Sequence, residues 1–534
     1  DGLISTAFGQ KSPNSVTQNN SHRQYLTGQL IAEYKGVFGK HDINVLGGWS
    51  AEENLYEDLQ GKRTNIVGNE LPALNLGDTD GWSNAADENE WALLSGFMRA
   101  SYAFAAKYLV EVNFRADASS RFSKKNRWGV FPSASVGWRI TEEKFMQNQH
   151  IFDNLKLRAS WGQLGNQNGL GLYDHIASYN INGYYPFKSE LGQWAVISKL
   201  PSESRTWETV EVKNIAVDMA FLRNRLTVTG EYFIKKNKDM LVSIEIPSII
   251  GIDVPTGNYG ELKVKGWEVT VGWQDKIKDF SYGARFNLSD QKDKLVDYGV
   301  EYNGFVAGVN QKVQGYSLGS IFGYRTDGYF TSEEEVKNSA AFNKAITGVG
   351  DIKYIDKDGD GKISAPNDLE YLGTTTPRYT FGLNLTAAWK GFDLGVLLQG
   401  VGKRNFYLSS EVMNPYYATW NNFSYKMHND YWTPENPNAA FPRYYAGANH
   451  NYQISDHWLQ NAAYVRLKNL QLGYTISPKL TKSWGIQRLR VYFSGDNLCE
   501  YSKLNDNFDP ELSNINGYVY PIMRNFSFGI NVTL

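Results

Sequence analysis

The chain has 534 residues, a formal net charge of −2, 42% hydrophobic residues and a single cysteine, Cys499. That balance, with no basic tail or basic stripe, argues against a nucleic-acid partner, and one cysteine excludes a disulfide framework and a zinc–cysteine site. No stretch approaches the ~18 unbroken apolar residues of a membrane helix.

What the chain carries instead is alternation. Strand side chains alternate between two faces, so a period of two marks a sheet with one apolar and one polar side. Strands are expected near 24–35 and 41–53, turning at 36–39, and near 91–105 and 107–118, turning at 106–107. In the last of these Tyr108, Val110, Val112, Phe114 and Ala116 oppose Glu111, Asn113, Arg115 and Asp117. The next pair is expected near 128–141 and 154–164, where Leu155, Leu157, Ala159 and Trp161 oppose Lys156, Arg158 and Ser160. Strands near 207–221 and 224–237 turn at 223–224, with Leu226, Val228, Tyr232 and Ile234 against Thr227, Thr229 and Glu231. Further pairs are expected near 260–274 and 278–291 (turn at 275–276), 378–389 and 391–403 (turn at 390–391), and 463–476 and 487–498 (turn at 477–478). A last strand carries Phe526, Phe528, Ile530, Val532 and Leu534 on one face. The apolar phase slips between Leu467 and Leu470. A β-bulge at Lys468–Asn469 would restore the register; the alternative is a face that changes environment near the rim.

The pattern predicts an all-β protein, an antiparallel transmembrane β-barrel wall of about fifteen strands with apolar side chains outward and polar ones inward. Segments near 54–90, 165–206, 238–257, 292–377, 404–462 and 499–521 lack sustained alternation and are expected as long extracellular loops, opposite short periplasmic turns. The first and last of fifteen antiparallel strands run the same way, and an unclosed wall would expose backbone polar groups to lipid. The chain is therefore expected to supply the C-terminal part of a larger barrel, with Asp1 on the extracellular side. Asp1–Ser5 does not read as a signal peptide, so an export signal is expected to have been cleaved or to lie elsewhere.

Several segments in series resemble the SusC/RagA family of TonB-dependent outer-membrane transporters. They are 41–50 (HDINVLGGWS), 127–138 (RWGVFPSASVGW), 155–166 (LKLRASWGQLGN), 321–330 (IFGYRTDGYF), 354–363 (YIDKDGDGKI), 464–474 (YVRLKNLQLGY) and 525–532 (NFSFGINV). The resemblance implies a barrel of about 22 strands, filled by an N-terminal plug and energised through TonB. It also implies a SusD-like surface lipoprotein over the extracellular mouth and import of glycans, or of peptides in the RagA branch. The plug, the TonB box and roughly seven first strands have no counterpart in this chain, which by itself is expected not to transport.

One motif has metal-ligand spacing. In residues 356–364 (DKDGDGKIS), carboxylates at positions 1, 3 and 5 with Gly at 6 open an EF-hand-type calcium loop. Asp356, Asp358 and Asp360 would supply side-chain oxygens, Lys362 its carbonyl, and Ser364 the ninth position. Position twelve is Asn367, with Asp368 one residue late. The expectation is a weak calcium (or magnesium) clamp; the alternative is an Asx-rich turn without metal. The loop aromatics Tyr184, Tyr185, Trp194, Tyr416, Tyr417 and Trp420 could stack on a ligand, or pack loops or dock the lipoprotein. Inward charges such as Glu111, Arg115, Lys156, Arg158 and Glu231 are expected as a solvated lumen network, and Glu52–Glu53 as rim solvation.

The seven histidines form no H-E-x-x-H pair, and neither G-x-S-x-G nor G-x-x-x-x-G-K occurs. The chain is read as a non-enzyme. The leading expectation is an import-barrel segment; a secreted soluble β-rich glycan hydrolase and a passive porin or adhesin are the alternatives.

Overall fold

A computed structural model describes residues 13–68, 70, 72–187, 190–243, 256–299, 305–408, 410–416, 426–512 and 522–534. The placement expected for Asp1 lies outside these residues. In chain order the strands are β1 (Ser15–Phe38), β2 (His41–Thr64), β3 (Ser83–Phe104), β4 (Tyr108–Ser119), β5 (Trp128–Arg139) and β6 (Phe152–Asn166). There follow β7 (Ser178–Phe187), β8 (Glu190–Lys199), β9 (Glu208–Phe221), β10 (Leu226–Val242), β11 (Gly257–Ile277) and β12 (Phe280–Tyr298). The third group is β13 (Gly308–Gln311), β14 (Ser320–Tyr324), β15 (Thr326–Tyr329), β16 (Ile352–Tyr354), β17 (Leu369–Thr374) and β18 (Arg378–Trp389). The last is β19 (Phe392–Lys403), β20 (Asn405–Tyr407), β21 (Leu459–Asn461), β22 (Tyr464–Thr475), β23 (Arg488–Ser502) and β24 (Asn525–Thr533).

Fifteen of these form one antiparallel meander in the order β1-β2-β3-β4-β5-β6-β9-β10-β11-β12-β18-β19-β22-β23-β24. Every wall strand expected from the alternation is present. Among the described residues β1 pairs only with β2 and β24 only with β23, so the sheet has two free edges. Leu30, Trp49, Val136, Ile215 and Phe528 stand exposed on one face, an apolar extent that calls for a lipid or protein cover. Along this apolar stretch the opposite face is charged. Arg158 meets Asp218 at 2.8 Å and Glu231 at 3.5 Å. Glu111 accepts from Ser101 at 2.9 Å, and Arg115 pairs with Asp117 at 2.8 Å.

The short-turn rim follows local chemistry. Lys390 (φ 45°) and Gly391 (φ 94°) form a two-residue connection with both residues left-handed, the backbone twist that suits a tight hairpin. Two turns move: β1 continues through 36–38 and the chain reverses at 39–40, and β11 continues through 275–276 to Ile277, where the chain reverses at 278–279. The pair Gln274↔Gly283 through Ile277↔Phe280 completes the ladder, and nothing local at Asp275–Lys276 stops it.

At the other rim the strands outrun their alternation. β1 and β2 each run 24 residues, about 80 Å of strand, against an apolar band of ~25 Å. Beyond the band both faces are solvated and the period-two signal fades while pairing continues. The connection expected at 54–90 is accordingly only 65–82. Within 165–206, β7 and β8 form a hairpin of their own. The bulge is present: on β19 Leu467 and Asn469 take the successive partners Leu398 and Leu397, on β23 the register shifts between them from Cys499 to Asp496, and Lys468 has no partner on either strand.

The remaining long segments build a second core. Ile352, Leu369, Phe406, Val412, Phe441 and Trp458 are buried together, supported by the small sheets β13-β14-β17, β15-β16 and β20-β21. All five residues of β14 are buried.

Candidate functional site

The aspartate loop connects β16 to β17. Both flanking strands are anchored in the loop core, through Ile352 and Tyr354 on one side and Leu369 on the other. Gly359 (φ 75°) and Gly361 (φ 84°) take the left-handed conformation, which costs other residues about 1–2 kcal/mol. That turn aims backbone N–H groups at the carboxylates. Asp356 accepts from Gly359 N at 2.7 Å and Gly361 N at 2.8 Å. Asp368, almost fully buried, accepts from Lys357 N at 2.8 Å and Ser364 N at 2.7 Å, closing the loop across both ends. The N–H groups of Gly361 and then Gly359, against some desolvation, hold the Asp356 carboxyl below its usual range.

Carboxylate oxygens of Asp356, Asp358 and Asp368 lie within 4.8 Å of one another. Oxygens at ~2.3–2.6 Å from a calcium ion can be that far apart, so this donor set fits a hard cation. Asp360 does not join this group. Asp360 is exposed, and one of its oxygens takes Lys362 N at 2.8 Å. The backbone N–H groups of Lys362 and Ser364 serve carboxylates. Asn367, at position twelve, donates its amide to Asp358 at 2.7 Å. The residue one place late for the ideal spacing is thus the one that brings the third carboxylate.

The loop aromatics divide. On the β7–β8 hairpin Tyr185 pairs with Gly192 and Trp194 with Gly183, which places both on one face, while Tyr184, opposite Gln193, is on the other. Tyr184 and Tyr185 are exposed and Trp194 is just over a third exposed. Tyr416 packs edge-on against Tyr444, with ring centroids 5.4 Å apart. Tyr417 and Trp420 lie outside the described residues.

Two polar clusters had no visible signal in the sequence. The buried Asp351 accepts from Tyr445 Oη at 3.0 Å, Asn451 Nδ2 at 2.9 Å and Gly348 N at 2.8 Å, and meets His450 Nε2 at 3.0 Å. Arg466, nearly inaccessible, gathers Glu500, Asp509 (2.6 Å) and Glu511 (3.0 Å), and Lys468 reaches Glu511 at 2.9 Å. Most of their partners are distant in sequence: Asn451 lies 100 residues from Asp351, and Glu500, opposite Arg466 on the neighbouring strand, lies 34 away.

Comparison with known proteins fits this geometry. The profile described as TonB dependent receptor-like, beta-barrel, matches residues 3–498. A TonB-dependent receptor of Formosa agariphila is 30% identical over 530 residues, covering 94% of this chain and 52% of that protein. The TonB-dependent receptor SusC of Bacteroides thetaiotaomicron is 28% identical over 463 residues, covering 82% of this chain and 43% of its own length. Among solved structures, the RagAB peptide transporter superposes with a TM-score of 0.83 at 24% identity, covering 97% of this chain and 56% of that one. The chain spans about half the length of the curated relatives it matches. These relatives are receptors, not enzymes, and the soluble-hydrolase alternative falls with them. The fold, the two-faced wall and the profile match together make this chain a member of the TonB-dependent receptor-like β-barrel family.

Proposed function

We propose that this chain is the C-terminal wall of a transporter that imports large nutrients, foremost oligosaccharides, across the bacterial outer membrane, powered through TonB and capped by a SusD-like surface lipoprotein. The observation that carries the reading is the fifteen-strand meander with an exposed apolar face, a charged opposite face and two free edges. In hydrocarbon a free edge leaves backbone donors and acceptors unpaired, at several kcal/mol each, so the proposal assigns the remaining staves and the plug to another part of the same transporter. The long-loop rim then faces outward and the short turns face the periplasm.

Binding falls to the loop layer. A ring such as Trp194 or Tyr185 covers the C–H face of a sugar, and the lumen charges keep the path hydrated. Asp356, Asp358 and Asp368 act as a calcium clamp, with magnesium as the alternative ion. The clamp braces the loop between β16 and β17 and takes no part in catalysis.

A peptide cargo is the second reading, supported by the shared fold with a structure described as a peptide transporter. The test is uptake by cells carrying the complete transporter and its lipoprotein, offered labelled oligosaccharides or oligopeptides. Uptake of the sugar that stops when TonB is deleted supports the first reading, and uptake of the peptide alone supports the second. Uptake indifferent to TonB would make the barrel a passive pore.

A further inference from the structure

The register sets six lysines on the lipid-facing side of four neighbouring strands. Across β9, β10, β11 and β12 one rung reads Lys213, Ile234, Lys265, Lys292, and the next rung toward the loops reads Glu211, Lys236, Lys263, Lys294. The face is fixed by the same ladder. Ile215, Tyr232 and Trp267 form the adjoining rung on the membrane side, completed on β12 by Asp290, which is paired with Arg378, and Val269 opposite Leu288 lies below it. The lysines thus sit where the apolar band ends, next to a Tyr and a Trp of the kind that mark a membrane interface. They come from four strands spread over residues 213–294, which is why no basic stripe is visible in the sequence.

Two of the six have carboxylate neighbours: Lys213 reaches Glu211 at 3.3 Å and Lys236 reaches Glu261 at 3.8 Å. Among the described residues, Lys263, Lys265, Lys292 and Lys294 have no carboxylate oxygen within the 4.0 Å of an ion pair. Yet Lys263 stands directly opposite Lys294, and Lys265 directly opposite Lys292. Like charges facing each other across an antiparallel pair are destabilising. An anion seated on a two-by-two block of them would relieve both pairs at once. The pattern is local: the same face of β2 and β3 carries Glu53, Glu57, Glu88 and Glu90 beyond its apolar band. Beside the block, a groove of about 610 Å³ opens on the outer wall between β5 and β10, lined by Val136, Ala159, Trp161, Ile215, Tyr232 and Ile234. Lys213 lies at its polar end.

We propose that this face binds a phosphorylated glycolipid of the outer leaflet, its phosphate held by Lys263, Lys265, Lys292 and Lys294 and an acyl chain lying in the groove. The proposal rests on the membrane-wall reading above. Ammonium groups donate charge-assisted hydrogen bonds to phosphate oxygens, and one phosphate between the two strands would relieve both like-charge pairs. The sole free-standing alternative of the same chemistry is inorganic phosphate.

The test uses the complete transporter purified in detergent, with native mass spectrometry reading adducts of bisphosphorylated lipid A, of the same lipid A stripped of phosphate, and of inorganic phosphate. The wild type is expected to hold phosphorylated lipid A. Replacing the four lysines together (K263Q, K265Q, K292Q, K294Q) weakens that adduct by about tenfold or more. K235Q, on the opposite face of β10, leaves it unchanged. Equal binding of the dephosphorylated lipid, an unaffected quadruple variant, or displacement by millimolar phosphate would each overturn the site. Should the quadruple variant lose the heat-modifiable gel mobility of a folded barrel, the pair K265Q, K292Q replaces it under the same criteria. A wild type that does not insert into nanodiscs overturns the membrane wall as well; one that inserts but does not distinguish the lipids overturns the site alone.

Discussion

Asp368→Asn separates the hydrogen-bonding role of the aspartate loop from its proposed metal. Asp368 is 1% exposed, and its two oxygens accept one backbone N–H each, from Lys357 at 2.8 Å and Ser364 at 2.7 Å. Asparagine keeps the shape but turns one oxygen into an NH₂ that faces an N–H. A hydrogen bond to a charged group contributes about 1.5–3 kcal/mol, and leaving a buried donor unmet costs a similar amount. With one of two bonds lost and the other weakened, the loop should open with about 2–3 kcal/mol less resistance, roughly 30- to 150-fold more often. Hydrogen exchange across residues 351–372 of the complete protein, in chelator, reads this directly. Calcium at about 100 times its dissociation constant should then add about 2.7 kcal/mol of protection to the wild type and little to D368N. Asp360→Asn is the control: its carboxylate stands outside the cluster, and the expected change is within about 0.5 kcal/mol. Unchanged exchange in D368N under chelator would refute the buried clamp. Calcium that protects neither protein would leave a hydrogen-bonded turn and remove the metal.

Other regions make separate predictions. Arg466→Gln leaves Glu500 and Asp509 without their cation and Glu511 with Lys468 alone. Breaking a buried pair costs about 3–5 kcal/mol; because these carboxylates are 15–35% exposed, the lower end is expected, seen as faster exchange over 499–512. Burial holds the imidazoles of His428 and His457 below the usual histidine range. The unfolded chain therefore binds more protons than the folded loop core, and stability held above about pH 6.5 is lost as the pH falls toward the folded values. Protection factors over 426–460, taken against the intrinsic exchange rate at each pH, should be smaller at pH 5 than at pH 7.5. Trp194→Ala and Tyr185→Ala share one hairpin face and should weaken ligand binding together, by about 0.5–1.5 kcal/mol each, while Tyr184→Ala should not. Equal losses in all three would show that the hairpin acts as a unit and not through one face.

The wall was legible because its physics is local. In Tyr108–Ala116 or Leu226–Ile234 each residue meets one of two solvents, so the sequence itself alternates, and the misfit at Lys468 already marks the bulge. The signal ended where the environments ceased to differ. Past Asn54 both faces of β2 are wet, and at Asp275 the strand continues because its partner does. The aspartate motif was readable as a loop, but the choice of Asp368 over Asp360 as third carboxylate depended on how the flanking strands are held in the loop core. That core, the Asp351 and Arg466 clusters and the lysine block on β9–β12 join residues tens to a hundred positions apart. Contacts of that kind are selected by the pairing of the strands and the folding of the loops upon one another, and no period or spacing along the chain encodes them.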